Sequence, residues 1–390
     1  MLTAPKKWPV HAQDEIDAVS RVLASGKTNY WTGDECRHFE KEFAEHMGCA
    51  HAIAVMNGTV ALEAALQALA IGPLDEVITT PRTFIASASS IVMRGAIPIL
   101  ADVDPDSQNI MPATISPCIS DRTKAIIVVH LAGWPADMPG ILALARAHNL
   151  RVIEDCAQAH GATINNRAVG TWGDVGAFSF CQDKIITTGG EGGMVTTNNA
   201  ALWEKIWSYK DHGKNHHKVT DLSPAPGFRW LHDSFGTNGR MTEMQSAIGR
   251  LQLKKLPDWL SHRRRNAAVL TDTLQELSAV RIPQPPEGIQ HAFYKYYLFI
   301  RPEKLKSGWS RDAILKEANR QGIPCFSGSC SEIYLEQAFA SQPQRATVTR
   351  KNARLLGETS LMLPVDPSFD TAAMQKMADG LRTLIRAASL

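Results

Sequence analysis

The chain has little that would suit a membrane, a metal centre or a nucleic acid. Its apolar runs are short: the stretch Ala125 to Val129 stops at His130, and none approaches the roughly 18 residues that span a bilayer. Membrane insertion is therefore not expected. Seven cysteines are scattered without a CxxC pair, which suits reduced thiols better than a disulfide framework or a zinc site. Cys156 and Cys181 read as small buried hydrophobes. Neither sign of charge dominates: 41 Lys and Arg against 39 Asp and Glu leave +2, no support for a dedicated nucleic-acid binder. Lys6 and Lys7 have no apolar segment behind them, so no secretory signal is visible and a cytoplasmic location is expected. No internal repeat or low-complexity tract is present.

What is there is an ordinary globular composition, 44% hydrophobic and 21% charged, in 390 residues. That length accommodates a large domain with a smaller one appended. From Ala50 onward short apolar strands alternate with helical patterns. Strands are expected at 52–56, 76–80, 97–103, 124–130, 151–154 and 175–180, with helices between them. Such alternation indicates an α/β fold around a mainly parallel sheet covered on both faces. A large domain over 1–250 and a smaller C-terminal α+β domain over 251–390 are expected. Three further expectations concern the second half. Pro257 should break the helix that runs to Leu256, and His262 to Arg265 should form the wet face of the next helix. His291 to Arg301 should be a strand. The polar stretch His212 to Phe235 reads as a surface loop; His212, His216 and His217 lack the ordered spacing of a metal site, so no metal is expected.

The chemistry concentrates between Asp155 and Gly193. Asp155 closes an apolar strand, and Gln158 and His160 follow within one turn. A second strand then leads to Lys184, just before Gly189, Gly190, Gly192 and Gly193. A lysine held partly out of water has a neutral amine able to attack a carbonyl, while a buried Asp can keep a proton on a ring nitrogen. These are the two groups that pyridoxal phosphate needs. In parallel sheets ligands bind beyond the carboxyl ends of the strands. Asn57-Gly58-Thr59 sits at such an end and opens a helix, which makes it a candidate phosphate cradle. The plain alternatives are a solvated surface lysine, an ordinary helix cap at Asn57 and a core phenylalanine at Phe84.

Taken together, DxAQAHG, the run GDVGAFSFCQDK and GGEGGMV closely resemble the core of the DegT/DnrJ/EryC1/StrS family of sugar aminotransferases. GTNGRMTEMQSAI at 236–248 is a second match, and the segment around Lys27 to Gly33 a third. The resemblance implies the aspartate-aminotransferase-like (type I) fold of pyridoxal-phosphate enzymes. It implies that Lys184 holds the cofactor, that Asp155 pairs with its ring nitrogen, and that Gln158 contacts the ring or its phenolic oxygen. His160 would brace Asp155 or the pocket. Gly58, Thr59 and Ser179 would bind the phosphate, Phe84 would face the ring, and Asn238 would reach the phosphate of a partner subunit, so a homodimer with shared sites is expected. Here Asn57 replaces the family's usual serine, and Gly33-Asp34 stands where Gly-Pro is common. The implied reaction transfers an amino group from an amino acid, glutamate, to an oxidised sugar. Overall similarity points to an oxidised 3-deoxy-manno-octulosonate of lipopolysaccharide synthesis. The alternatives are a nucleotide-linked keto sugar and a keto-inositol. A histidine-bearing sugar dehydratase, a non-catalytic regulator and a cofactor-free Schiff-base aldolase are less consistent with an Asp–Lys pair.

Overall fold

Seven short strands form the central sheet of the computed structural model, which describes residues 8–221, 227–340 and 350–390. Lys6, Lys7 and positions 222–226 of the expected polar loop lie outside the described residues. In chain order the strands are β1 (His51–Val55), β2 (Glu76–Thr79), β3 (Ile97–Leu100), β4 (Thr123–Val129), β5 (Arg151–Asp155), β6 (Val175–Ser179) and β7 (Gly193–Thr197). They are ordered β1-β7-β6-β5-β4-β2-β3. Only β7 runs antiparallel to its neighbours.

Both faces of this sheet are buried, which is why its strands read as continuous apolar runs rather than alternating ones. Ile126, Val128, Phe178, Phe180 and Met194 point to one core, to which helix α2 (Glu35–Met47) contributes Phe39 and Phe43, while helix α1 (Gln13–Ser25) packs Ala18 and Val22 against Ala247 in a small separate cluster. Ile127, Ile153, Val175, Ala177 and Val195 point the other way. There they meet helix α3 (Gly58–Ala68) through Leu62 and Leu66. Burying one such Phe or Leu side chain contributes about 1.5–3 kcal/mol. Helices α4 (Ala86–Met93), α5 (Met138–Ala147) and α6 (Ala200–Lys210) complete the two outer layers. The helix ends at Gly26 and Gly48 have left-handed backbones, φ 68° and 67°, as the glycines suggested.

Three expectations for the second half are corrected. Pro257 does not end its helix: α7 runs unbroken from Glu243 to Leu274. A mid-helix proline costs about 3 kcal/mol. Leu253 and Leu256 before it and Leu260 after it all insert into one core, and that continuous burial outweighs the loss. His262 to Arg265 is not a wet face, because helical spacing puts Arg263 in line with Leu260, Ala267 and Leu270, and Arg263 is buried. Its Nη1 donates to the carbonyls of Phe293 and Tyr294 at 3.3 and 3.2 Å. The expected strand at 291–301 is shorter: pairing covers Tyr296–Ile300, and 291–295 forms a loop turned by Phe293 at φ 48°.

The remainder packs around a second core containing Leu270, Leu274, Leu298, Leu361 and Leu381. Its sheet is antiparallel in the order β8 (Val280–Arg281), β9 (Tyr296–Ile300), β10 (Ser360–Leu363). Helices α8 (Arg311–Arg320), α9 (Lys351–Thr359) and α10 (Thr371–Ala388) accompany it. Position 250/251 falls inside α7, which passes from the first core at Leu260 to the second at Ala267.

Candidate active site

Strand register brings the proposed phosphate residues together. Asp155 is the last residue of β5 and pairs with Ala177 of β6, so Ser179 emerges at the same sheet edge. Ser179 is opposite Gly193 on β7, and Gly193 is opposite Val55 on β1. The turn leaving β1 therefore abuts Ser179. A Cβ placed on Gly58 would lie 2.7 Å from the Ser179 Cβ, and one on Gly193 would lie 2.5 Å from the Asn57 carbonyl oxygen. Only glycine fits at either place. Asn57 caps α3 by accepting the Val60 amide at 2.9 Å. The amides of Gly58 and Thr59 have no partner among the described residues, and they open an eleven-residue helix. Unpaired donors at a helix N-terminus can hold a phosphate dianion.

Asp155 is buried beside this cradle. Its Oδ2 accepts from the Ser87 hydroxyl at 2.8 Å, and its Oδ1 accepts from the Ala157 amide at 3.2 Å. Burial pushes its carboxyl above the usual range, although those bonds and Lys184 oppose the rise. Such a group favours a cationic N–H partner, so the residues present fit a pyridinium ring at this position. Ser87 was not singled out from the sequence. The neighbouring Glu154 points to the opposite face and accepts the amides of Gly170, Trp172 and Gly173, each at 2.7 Å. His130 Nδ1 accepts the Ala136 amide, which leaves the proton on Nε2 to be donated to Glu154 at 3.1 Å. His130, Glu154 and Cys156 are the one cluster with metal-ligand spacing among the described residues. Glu154 already spends its acceptors on this clasp around 170–173 and on His130, whose own acceptor is taken by the Ala136 amide.

Lys184 follows β6, with its amide donating to the Cys181 carbonyl at 3.0 Å and its carbonyl accepting from Trp8 Nε1 at 2.8 Å. The side chain is 16% exposed, and its amine stands 3.2 Å from Asp183 Oδ1. Gly189 and Gly190, at φ 84° and 124°, supply the turn behind it. Phe84, in the loop between β2 and α4, is 70% exposed, so it is not the core phenylalanine of the alternative reading. Gln158 Oε1 accepts the Ala132 amide at 2.7 Å, which fixes the side chain and leaves its NH2 group to donate.

Of the two roles expected of His160, bracing Asp155 is the one without a contact. No hydrogen bond joins it to Asp155. Asp155, Ala177 and Ser179 face the α3 side of the sheet, whereas Phe178 and Phe180 face the other. The His160 ring packs on those two phenylalanines, centroids 5.6 Å away in both cases. Neither ring nitrogen has a partner in ordinary hydrogen-bond geometry among the described residues, and burial, with the Lys184 charge, pushes the imidazole down to about 3 against an opposing pull from the Ser179 backbone. Asn238 is exposed, and its side chain bonds no described residue. Its neighbour Gly239 accepts the Met56 amide at 2.8 Å, close to the cradle of its own chain.

The loop leaving β2 is anchored by a side chain that sequence reading also passed over. Arg82 is fully buried and donates to Gln108 Oε1 at 2.9 Å, Ser360 Oγ at 3.1 Å, the Ser329 carbonyl at 3.4 Å and Ser331 Oγ. It thereby ties the segment carrying Phe84 and Ser87 to residues near β10.

The sequence pattern of the DegT/DnrJ/EryC1/StrS aminotransferase family matches residues 9–382. The chain is 38% identical over 379 residues to the UDP-N-acetyl-3-dehydro-alpha-D-glucosamine 3-aminotransferase of Acidithiobacillus ferrooxidans, spanning 95% of this chain and 94% of that one. It is 42% identical over 350 residues to the GDP-perosamine synthase of Caulobacter vibrioides, spanning 88% of each. Among solved structures it is similar to an aminotransferase from Psychrobacter cryohalolentis, with a TM-score of 0.97 and 52% identity over 98% of this chain and 99% of that one.

Proposed function

The chain belongs to the DegT/DnrJ/EryC1/StrS aminotransferase family and is a pyridoxal-phosphate-dependent sugar aminotransferase of fold type I, and from that premise we propose its acceptor and the roles of its residues. The acceptor is a nucleotide-linked keto sugar, the donor glutamate. The observation that carries the catalytic assignment is the convergence of Asp155 and the Gly58–Ser179 cradle at one edge of the sheet, with the Lys184 charge close enough to act on the Asp155 carboxyl.

Bound pyridoxal phosphate supplies an electron sink for the carbanion formed at the substrate carbon. The rest is the work of this chain. Lys184 holds the cofactor, then takes the proton from the amine-bearing carbon and returns it on the other side of the exchange. Asp155 keeps a proton on the ring nitrogen, and Ser87 fixes the carboxylate that does so. The amides of Gly58 and Thr59, with the Ser179 hydroxyl, hold the phosphate. Phe84 covers the ring and excludes water, and the Gln158 amide donates toward the phenolic oxygen. His160 supports the site only from behind, through Phe178 and Phe180.

The choice of acceptor rests on the relatives: one is named for a UDP-linked 3-keto aminosugar and another for a GDP sugar product. The octulosonate expected from overall similarity is the competing acceptor. Enzyme preloaded with the amino form of the cofactor should aminate a UDP-linked 3-keto sugar in preference to an oxidised octulosonate or a keto-inositol, with products identified by mass spectrometry. A tenfold or greater preference for octulosonate would overturn the assignment. A homodimer with Asn238 donated across the interface belongs to the same proposal, supported by the exposed and unbonded amide. Mixing inactive Lys184→Ala and Asn238→Asp proteins should restore activity in hybrids, up to one intact site each. Hybrids as inactive as their parents would place Asn238 in its own chain's site.

A further inference from the structure

The ion pair at Lys184 uses a residue that none of these roles involves. Asp183 Oδ1 is 3.2 Å from the Lys184 amine, and Asp183 Oδ2 accepts a hydrogen bond from the Tyr294 hydroxyl. Tyr294 comes from the loop 291–295, more than a hundred residues away, and it is clamped at both backbone ends. Its amide donates to the Ala132 carbonyl at 2.9 Å, and its own carbonyl accepts from Arg263 Nη1 at 3.2 Å. Two ammonium groups stand near its ring, that of Lys184 at 5.1 Å and that of Lys295 at 5.0 Å. A tyrosine fixed in this way orients the Asp183 carboxylate toward the lysine. Burial acts to raise the Asp183 carboxyl, but Lys184 and Tyr294 outweigh it and hold it below the usual range. Asp183 thus stays ionised. Burial and Asp183 raise the Tyr294 phenol, so Tyr294 remains a donor.

We propose that Asp183, oriented by Tyr294, is a positioning residue that stabilises positive charge on the Lys184 nitrogen, an inference that rests on Lys184 being the cofactor lysine. When the lysine is released and takes the substrate proton, it becomes an ammonium. Asp183 stabilises that ammonium 3.2 Å away and keeps it aimed until the proton passes to the accepting carbon. Asp183 itself neither gains nor loses a proton. When Lys184 is joined to the cofactor, the same carboxylate favours the protonated form of the linking nitrogen. The other titratable groups that act on this lysine or its pair are Asp155, His160, Arg263, Lys295 and Tyr297, and all are retained in the variants below.

The test is an absorbance titration of the bound cofactor against pH in reconstituted holoenzyme. Asp183→Asn should move the midpoint to lower pH by about 0.5–1 unit, the scale of a half-exposed charge at this distance. Tyr294→Phe should move it in the same direction by less, and kcat should fall in both with KM little changed. An unmoved midpoint in Asp183→Asn with cofactor bound would overturn the role of Asp183. Should Asp183→Asn not fold, an unmoved midpoint in Tyr294→Phe overturns it instead. Wild-type enzyme whose cofactor is not attached to Lys184 would overturn the underlying assignment, a distinct outcome.

Discussion

Adding one methyl group at Gly58 should damage both the cradle and the fold, and the geometry sets the scale. The new Cβ would stand 2.7 Å from the Ser179 Cβ and 3.2 Å from the Ser179 Cα. Ordinary contacts begin near 3.5 Å. These atoms sit on β6 in a paired strand, so no flexible side-chain end can move aside. The turn and the strand must separate instead, at a cost of about 1–3 kcal/mol for an overpacked site. Separation also misaligns the Gly58 and Thr59 amides with the Ser179 hydroxyl, so Gly58→Ala should bind pyridoxal phosphate about 10–100-fold more weakly, equivalent to about 1.4–2.7 kcal/mol. Equilibrium cofactor binding by absorbance and urea denaturation of the apoprotein read the two effects separately. Ser179→Gly removes the nearest atom struck and leaves only the milder contact with the Cα. The double variant should therefore recover stability relative to Gly58→Ala, with a coupling of about 0.5–3 kcal/mol. It should not recover affinity, because the hydroxyl is gone. Wild-type stability and affinity in Gly58→Ala would refute the close packing and the cradle together.

Other consequences concern the buried polar groups. Asp155→Asn keeps the shape but removes the ring-nitrogen partner, so kcat should fall by about two to four powers of ten with cofactor still bound; near-normal turnover would strike Asp155 from the site. Arg82→Met strips Gln108, Ser331 and Ser360 of a buried donor and should cost about 2–4 kcal/mol of stability in urea melts; an unchanged melt would mean the tie to the β2 loop contributes nothing. His160 and His291 are both pushed down to about 3 by burial, so the unfolded chain binds more protons than the folded one below about pH 6.5. Stability is then full above pH 6.5 and lost as pH falls toward 3, by up to about 1.4 kcal/mol per unit for each histidine. A urea midpoint that stays flat from pH 7 to pH 5 would contradict this.

Six of the seven strands were legible because burial on both faces leaves uninterrupted apolar runs, and Asp155, Ser179 and Gly58 mark the strand ends; β7 was not, because its buried Thr196 and Thr197 read as polar. Less was legible where a contact joins distant segments. Tyr294 lies in HAFYKYYLFIR, which reads as one strand, and nothing local shows that its first half bends back to Asp183. The periodicity that buries Arg263 was present, but an Arg-rich run hides it behind charge. His160 shares a motif with Asp155, yet the turn after the strand carries its ring onto Phe178 and Phe180, on the face opposite to Asp155. Pro257 misled because a local helix-breaking cost of a few kcal/mol was weighed without the leucines on either side. Ser87 and Arg82 lie in PRTFIAS, a segment read for its aromatic ring, while its polar residues carry the links to Asp155 and to β10.

The most direct test of the account is to reduce the cofactor-saturated protein with borohydride and map the modified peptide by mass spectrometry. One adduct is expected, of reduced pyridoxal phosphate on Lys184. An adduct on a different lysine, or none at saturation, would contradict the assignment of Lys184 and every residue role built around it.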